Sequence, residues 1–176
     1  MRTRDETVRR LTYAAVLAVA VGWVAGAAFA PLAAQDSLRD AASLDSNGIS
    51  LHSALDIAYG RVCHQMAERS IQVWGAPMAV CARCFGVYAG FLAGLIAYPF
   101  ARSLDRTSAP PRIWIFIALA PVTIDFLGGY AGLFENTLAS RFVTGLIAGA
   151  AGAFYTVPGL VSMATSVRRD DKASGY

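Results

Sequence analysis

All three cysteines of the chain lie in one short region, and one of them is followed directly by a histidine. Cys63 and His64 are adjacent, and Cys81 and Cys84 follow as a Cys-x-x-Cys pair. Thiolates and imidazoles are preferred zinc ligands, and both Cys3His and Cys2His plus water are accepted zinc sets. The four residues therefore predict a metal site, with zinc as the expected ion. Because adjacent residues on a helix diverge by about 100°, Cys63 and His64 can bind the same ion only if a helix ends there.

The same cysteines also suit two other functions. Cys81 and Cys84 are expected near the positive end of a helix, which lowers the pKa of a thiol, and Arg83 would lower it further. They could then form a reversible disulfide coupled to a membrane quinone, with Cys63 as a partner thiol, although an odd number of thiols fits such a relay poorly. The third hypothesis is non-catalytic: a closed zinc site that only fastens a loop to a helix in an assembly or binding protein.

Polar residues around the cysteines could bind and convert an anionic substrate. Arg69, Arg83 and Arg141 could hold a phosphate or an anionic lipid headgroup, because a guanidinium binds such oxygens through two hydrogen bonds. Asp125 or Glu68 could serve as the general base if the metal keeps an open position. An acid within an apolar helix is costly, so we expect Asp125 to pair with Arg83 or Arg141, or to remain protonated. Further candidates for contact with the substrate, which would be a lipid or another small molecule, are Gln65, Ser70 and Tyr88.

Long apolar stretches must position these residues. Of the 176 residues, 56% are hydrophobic and 15% are charged, whereas soluble domains average about 25% charged residues. This composition excludes intrinsic disorder and disfavours a soluble fold. About 20 apolar residues cross a bilayer, and four spans are predicted at residues 11–34, 78–101, 113–134 and 142–167. The expected fold class is all-α: a single membrane domain formed by a polytopic bundle of about four transmembrane helices.

Helical spacing and glycine spacing refine this picture. The loop at residues 35–77 contains apolar residues at helical intervals and predicts an amphipathic helix on the membrane surface or on top of the bundle. Its apolar residues are Leu51, Leu55, Ala58, Val62 and Met66. Glycines at intervals of four predict close helix contacts within the bundle, with a homodimer through the same faces as the alternative. These glycines are Gly22, Gly26, Gly86, Gly90, Gly94, Gly145 and Gly149.

The basic residues predict the orientation in the membrane. Ten of the 15 Lys and Arg residues fall at one end of a four-span bundle: Arg2, Arg4, Arg9, Arg10, Arg102, Arg106, Arg112, Arg168, Arg169 and Lys172. Short cytoplasmic segments collect Lys and Arg, so both termini are expected in the cytoplasm and the cysteine site outside it, in the cell (inner or cytoplasmic) membrane. This rule explains the basic residues, and no nucleic-acid partner is expected. The first span also resembles a secretory signal ending near Ala28-Phe29-Ala30, but its apolar run is longer than usual, which favours a retained helix.

The cysteine motifs resemble the signature of the domain-of-unknown-function 2085 family. The resemblance covers roughly residues 55–155. It rests on Cys63-His64-Gln65, Arg69-Ser70, Cys81-Ala82-Arg83-Cys84, Gly86, Tyr88, Gly90, Asp125, Arg141 and Thr144-Gly145. Phe85 and Phe126 depart from the pattern, where a small polar residue and a glycine are expected, but neither departure removes a candidate ligand. The resemblance implies a multi-span membrane fold with a shared polar site, and it supplies no activity.

Overall fold

The computed structural model of the chain describes residues 2–42, 51–106 and 108–173, and the side chains of residues 5–32, 54–106 and 108–166. Within these ranges the chain forms five α-helices and one β-hairpin. In chain order the elements are α1 (Arg2–Ala42), α2 (Leu51–Gly60), β1 (Ser70–Val73), β2 (Ala76–Cys81), α3 (Ala82–Ala101), α4 (Ile113–Tyr130) and α5 (Leu138–Ala173), with a short 3-10 turn at Ala67–Arg69.

Four of the described helices are long and apolar enough to cross a membrane. Their spanning segments are Asp5–Leu32 in α1, Ala82–Ala101, Ile113–Tyr130 and Leu138–Ser166 in α5. The prediction of a helical, four-span membrane protein is therefore confirmed. The boundaries differ from the prediction by up to six residues. The first span begins at residue 5 instead of 11, α3 at 82 instead of 78 and α5 at 138 instead of 142, and α4 ends at 130 instead of 134.

A β-hairpin that the sequence analysis did not predict precedes α3. Its strands are antiparallel, with Ser70 opposite Cys81 and Val73 opposite Ala76. Trp74 and Gly75 connect the strands with positive φ angles of 52° and 80°, as a two-residue type I′ turn requires. The sequence predicts Cys81 inside the second helix. In the structure β2 continues to Cys81, so this cysteine is the N-cap residue of α3.

Helix α2 is shorter than the predicted amphipathic helix. The backbone N–H groups of Val62 and Cys63 both donate to the carbonyl of Tyr59, at 3.0 and 2.9 Å, so the chain turns after Gly60 and Val62 lies beyond the helix. The Tyr59 hydroxyl donates to the carbonyl of Trp23 at 2.5 Å, which fastens α2 to α1. Residues 43–50 of the predicted loop lie outside the described residues.

Helices α3 and α5 pack against each other through glycines, as predicted for contacts within the bundle. A Cβ atom at Gly86 or Gly90 would overlap the backbone of α5, and a Cβ atom at Gly145 or Gly149 would overlap the backbone of α3. The glycine faces of both helices are therefore covered within one chain. Gly22 of α1 differs, because its added Cβ would have no described atom within 4 Å. A homodimer stays a prediction.

The spans alternate in direction, so the end of the bundle that carries the hairpin contains the beginnings of some helices and the ends of others. Ala27 and Ala30, in the later part of the α1 span, pack against Ala79 and Val80 of β2. The beginnings of α3 and α5 and the end of α4 lie at the same end of the bundle, which we call the hairpin end. At the opposite end, Arg9 of α1 pairs with Asp105, which follows α3.

We expect Gly90→Ala to destabilise the protein, because the new methyl group would overlap the carbonyl oxygen of Leu146. Overpacking of this kind costs about 1–3 kcal/mol. The free energy of unfolding, titrated with dodecyl sulfate in mixed micelles, measures the effect. Gly22→Ala is the matched control and should be neutral or slightly stabilising, because alanine favours helices. Equal stability of the two variants would contradict the close contact between α3 and α5.

Candidate functional site

The three cysteines converge at the hairpin end, although each comes from a different local structure. Cys63 follows α2, Cys81 ends β2, and Cys84 lies in the first turn of α3. Their sulfur atoms all lie within 4.8 Å of one another, and those of Cys81 and Cys84 are 3.4 Å apart. All three are free thiols. The structure therefore brings together three of the four predicted metal ligands, and we call them the thiol cluster.

Apolar side chains surround the thiol cluster and fix its position. Cys63 is buried, and it packs with Tyr59 of α2, Ala27 of α1 and Val80 of β2. The backbone N–H of Cys81 donates to the sulfur of Cys63 at 3.2 Å. The sulfur atoms are thus held by packing and by backbone geometry, which is how a preformed ligand set is stabilised.

Cys81 differs from an ordinary cysteine in its proton affinity. Hydrogen bonds to its sulfur, above all the one with Cys84, lower the pKa of Cys81 from 9.0 to about 5, against the opposing effect of burial. The lowered pKa favours the thiolate form of Cys81. The thiolate is the form of cysteine that binds metals and attacks disulfides.

His64 lies apart from the thiol cluster. Its side chain is exposed, and among the described residues no imidazole or carboxylate joins the three sulfurs within the same distance. Helix α2 ends before Cys63, which was the condition for the two residues to share an ion. Even so, the side chain of Cys63 is buried and that of His64 is exposed. The role of His64 as a fourth ligand stays a prediction.

A buried ion pair joins α3 to α4 beside the cluster. Arg83 donates to the carboxylate of Asp125, whose side chain is only 6% exposed. The side-chain amide of Asn136 donates to the backbone carbonyl of Asp125 at 2.5 Å. The guanidinium of Arg83 also lies 5.8 Å from the ring centre of Phe126. The sequence left open whether Asp125 pairs with Arg83, pairs with Arg141 or remains protonated. In the structure it pairs with Arg83.

A pocket of about 310 Å³ opens beside this ion pair. Its lining residues are Arg69, Arg83, Phe126, Gly129, Tyr130, Asn136 and Arg141. All three arginines predicted to bind an anion therefore meet in one pocket, which we call the arginine pocket. Arg83 is paired with Asp125, whereas no described carboxylate lies within 4.0 Å of Arg69 or Arg141.

Three other predicted residues lie in the segment that carries Arg69. The hydroxyl of Ser70 is buried and donates to the carbonyl of Met66 at 2.9 Å. The side-chain amide of Gln65 donates to the carbonyl of Asp56 at 3.3 Å. Both hydrogen bonds hold the chain segment between α2 and β1 in place. The side chains of Gln65 and Ser70 therefore already use part of their hydrogen-bonding capacity within the protein. Glu68 is exposed in the 3-10 turn.

Tyr88 lies on the other side of α3 from the arginine pocket. It packs against the thiol cluster, and its ring meets that of Trp23 edge-on at 6.0 Å. It also lines an apolar groove of about 560 Å³ between α1, α3 and α5. Tyr88 therefore connects the cysteines to a surface that faces lipid.

Sequence reasoning missed Asn136 and Phe126 as parts of the site. Asn136 reaches Asp125 because the loop between α4 and α5 folds back over the end of α4. A Cβ atom at Gly129 would overlap the Asn136 side chain. In the sequence, only a glycine at position 129 followed by a polar residue in the next loop points to this contact. Such a pattern is too common to identify it. Phe126 was noted only as a departure from a family pattern.

We expect Asp125→Asn to destabilise the protein by about 3 kcal/mol, because breaking a buried ion pair leaves an uncompensated charge. Unfolding in mixed micelles measures the loss. The double variant Arg83→Gln/Asp125→Asn should lose less stability than the sum of the two single variants. Glu135→Gln removes an exposed carboxylate nearby and should change stability by less than about 0.5 kcal/mol. If Asp125→Asn behaves like Glu135→Gln, the ion pair does not stabilise the bundle.

Two archaeal proteins are similar to this chain. An uncharacterised protein of Methanocaldococcus jannaschii is 46% identical over 100 residues, which cover 57% of this chain and 64% of the relative. An uncharacterised protein of Methanothermobacter thermautotrophicus is 33% identical over 88 residues, or 50% of this chain and 78% of the relative. The chain thus covers less than two thirds of the first relative's length. No solved structure matches. The model of the predicted membrane protein family DUF2085 matches residues 63–155, more than half of the sequence, and the chain belongs to this family.

Proposed function

We propose that the protein is a metal-dependent membrane enzyme, with zinc held by Cys63, Cys81 and Cys84, that acts on a lipid or lipid-linked substrate. The observation that carries this proposal is the convergence of three sulfur atoms within 4.8 Å, close to a pocket with three arginines. Arg83 lies between Cys81 and Cys84 in the chain and also lines this pocket, so the two sites are adjacent. A metal at the thiol cluster and an anion in the arginine pocket would therefore influence each other.

The dimensions of the thiol cluster fit a zinc ion. Zinc–sulfur bonds of about 2.3 Å in a tetrahedral site place the sulfur atoms about 3.8 Å apart. This value lies between the 3.4 Å that separates Cys81 and Cys84 and the 4.8 Å limit of the whole cluster. Small side-chain rotations would bring the three sulfurs to that spacing. The lowered pKa of Cys81 also favours the thiolate form that zinc binds.

The number of ligands supports an enzyme over a purely structural site. Catalytic zinc sites have three protein ligands and an open fourth position, whereas structural sites are closed by four. The thiol cluster supplies three, and the exposed His64 lies outside it. When bound, zinc would supply an activated water or would polarise an oxygen of the substrate.

The surrounding residues have separable roles in this proposal. Arg69, Arg83 and Arg141 would hold the anionic group of the substrate. Asp125 would position Arg83, since its carboxylate is already engaged by that guanidinium. Glu68 then becomes the better candidate for a general base, because its exposed carboxylate is available to a substrate. The backbone of the site would be held by Gln65 and Ser70, and its apolar part would include Tyr88.

The distribution of charge supports a site outside the cytoplasm. Arg9, Arg10, Arg102, Arg106 and Arg112 lie at the end of the bundle opposite the hairpin. Short cytoplasmic segments collect such residues. The proposed orientation therefore has both termini in the cytoplasm, with the thiol cluster and the arginine pocket facing the other side of the cell membrane.

A thiol–disulfide oxidoreductase coupled to a quinone is the second candidate. The specific observation in its favour is the pair formed by Cys81 and Cys84, with a sulfur distance of 3.4 Å and a pKa of Cys81 of about 5. A lowered pKa is typical of the attacking thiol in Cys-x-x-Cys motifs. The sequence predicts the quinone of this alternative near Arg83. The apolar groove beside Tyr88 suits an apolar ring better, because no charged residue is among its described lining residues.

Zinc content and thiol oxidation, measured on the same detergent-purified protein, distinguish these candidates. We expect about one zinc per chain and three reduced thiols, with zinc lost in Cys63→Ser, Cys81→Ser and Cys84→Ser. His64→Ala is the informative control. Zinc retained in this variant supports a three-ligand site, whereas zinc lost identifies a closed four-ligand site and favours a structural role. Absence of zinc, together with a Cys81–Cys84 disulfide that a reductant reverses, would favour the oxidoreductase.

A further inference from the structure

We propose that the arginine pocket binds the terminal phosphate, a phosphomonoester, of an anionic membrane lipid headgroup. This inference rests on the proposed function, because it names the part of the substrate that the enzyme would recognise. Arg69, Arg83 and Arg141 come from three separate segments: the 3-10 turn before β1, the first turn of α3 and the first turn of α5. They meet in one concave site only because the fold brings these segments together.

The charge in the pocket is unbalanced. Asp125 neutralises Arg83, but no described carboxylate lies within 4.0 Å of Arg69 or Arg141. The three arginines line the same pocket of about 310 Å³, so their like charges repel one another. A cluster of like charges in a partly buried site is unfavourable without a counter-charge. An anion with several acceptor oxygens would remove this repulsion.

One donor in the site still lacks an acceptor. The Nε atom of Arg83 is buried and has no hydrogen-bond partner among the described residues. Buried polar groups in proteins are nearly always hydrogen-bonded, so an unsatisfied one suggests a partner that is bound in the functional state. A phosphoryl group offers more acceptor positions than a carboxylate, and arginine binds it through two parallel hydrogen bonds.

Helix ends add to the positive potential at this place. Arg83 is the second residue of α3, and Arg141 lies in the first turn of α5. The first turn of a helix carries a partial positive charge, which favours anions. The arginines and the two helix beginnings therefore all make the electrostatic potential in the pocket more positive.

The position of the pocket favours a phosphoryl group that belongs to a lipid. It lies where α3 and α5 begin and α4 ends, which is the level of the headgroups for spanning helices. Its wall on α4 consists of Phe126 and Tyr130, which are 55% and 85% exposed. In a membrane these side chains contact lipid, so an acyl chain attached to the bound group would lie along α4. The volume of about 310 Å³ is at the lower limit for small-molecule pockets, which suits a headgroup rather than a whole lipid.

The test is calorimetric titration of the full-length protein in non-ionic detergent with dihexanoyl phosphatidic acid. Dihexanoyl phosphatidylcholine has the same chains with a shielded phosphate, and inorganic phosphate has no chains. We expect phosphatidic acid to bind at least about tenfold more tightly than phosphatidylcholine, because hydrogen bonds to a charged group contribute that much. Tighter binding of phosphatidic acid than of inorganic phosphate supports a lipid ligand. Equal binding of these two would overturn the assignment to lipid in favour of free phosphate.

Matched variants test the residues. Arg69→Gln and Arg141→Gln should each weaken phosphatidic acid binding by about tenfold. Arg61→Gln removes the same charge from an exposed arginine that does not line the pocket, and it should leave binding within twofold. Arg69 is itself exposed, so its replacement tests the pocket even if Arg141→Gln fails to fold. If Arg69→Gln binds like Arg61→Gln, or if phosphatidylcholine binds as tightly as phosphatidic acid, the proposal is wrong.

Zinc analysis of the same samples separates this inference from the proposed enzyme. Arg69→Gln should retain the zinc of the parent protein. Selective binding of phosphatidic acid by a chain without zinc would support the pocket and contradict the metal site. Zinc without any preference for phosphatidic acid would support the metal site and overturn the pocket.

Discussion

Contact between the backbones of α3 and α5 is the constraint on which the rest of the structure depends. In lipid there is no hydrophobic force between apolar helices, so association relies on close packing, which glycine permits. The contact extends into the site, because a Cβ atom at Gly145 would overlap the carbonyl oxygen of Arg83. The separation between the beginnings of α3 and α5 is thereby fixed. Arg83 and Cys84 on α3 consequently have a defined position relative to Arg141 on α5.

The first turn of α3 carries two kinds of chemistry on two sides. Cys84 belongs to the thiol cluster, together with Cys81 at the N-cap, while Arg83 belongs to the ion pair with Asp125. Consecutive helical residues differ by about 100° in direction, so neighbours in sequence serve different partners. The hairpin and α2 complete one side, and α4 and α5 complete the other. A single helix beginning thus places a soft ligand set next to a strongly charged pocket.

The sequence predicted the features that depend on composition, and missed those that depend on tertiary contacts. The four spans follow from long uncharged stretches, and the thiol cluster follows from the ligand types. The hairpin was missed because the apolar residues 76–81 continue without a break into the apolar α3. Only the dipeptide Trp74-Gly75 indicated a turn. The pairing of Arg83 with Asp125 was one of three open alternatives, since spacing along the chain does not determine which arginine an acid in another helix meets.

In the proposed function, three thiolates hold one zinc ion with an open fourth position. X-ray absorption at the zinc edge of the purified protein tests it most directly, because it reports the number and type of the bound atoms. We expect three sulfur atoms at about 2.3 Å and one water oxygen at about 2.0 Å. The Cys63→Ser variant should then lose the sulfur signal together with the metal. A spectrum without sulfur neighbours, a fourth ligand with the scattering of an imidazole, or a protein that binds no zinc at all would rule out this site.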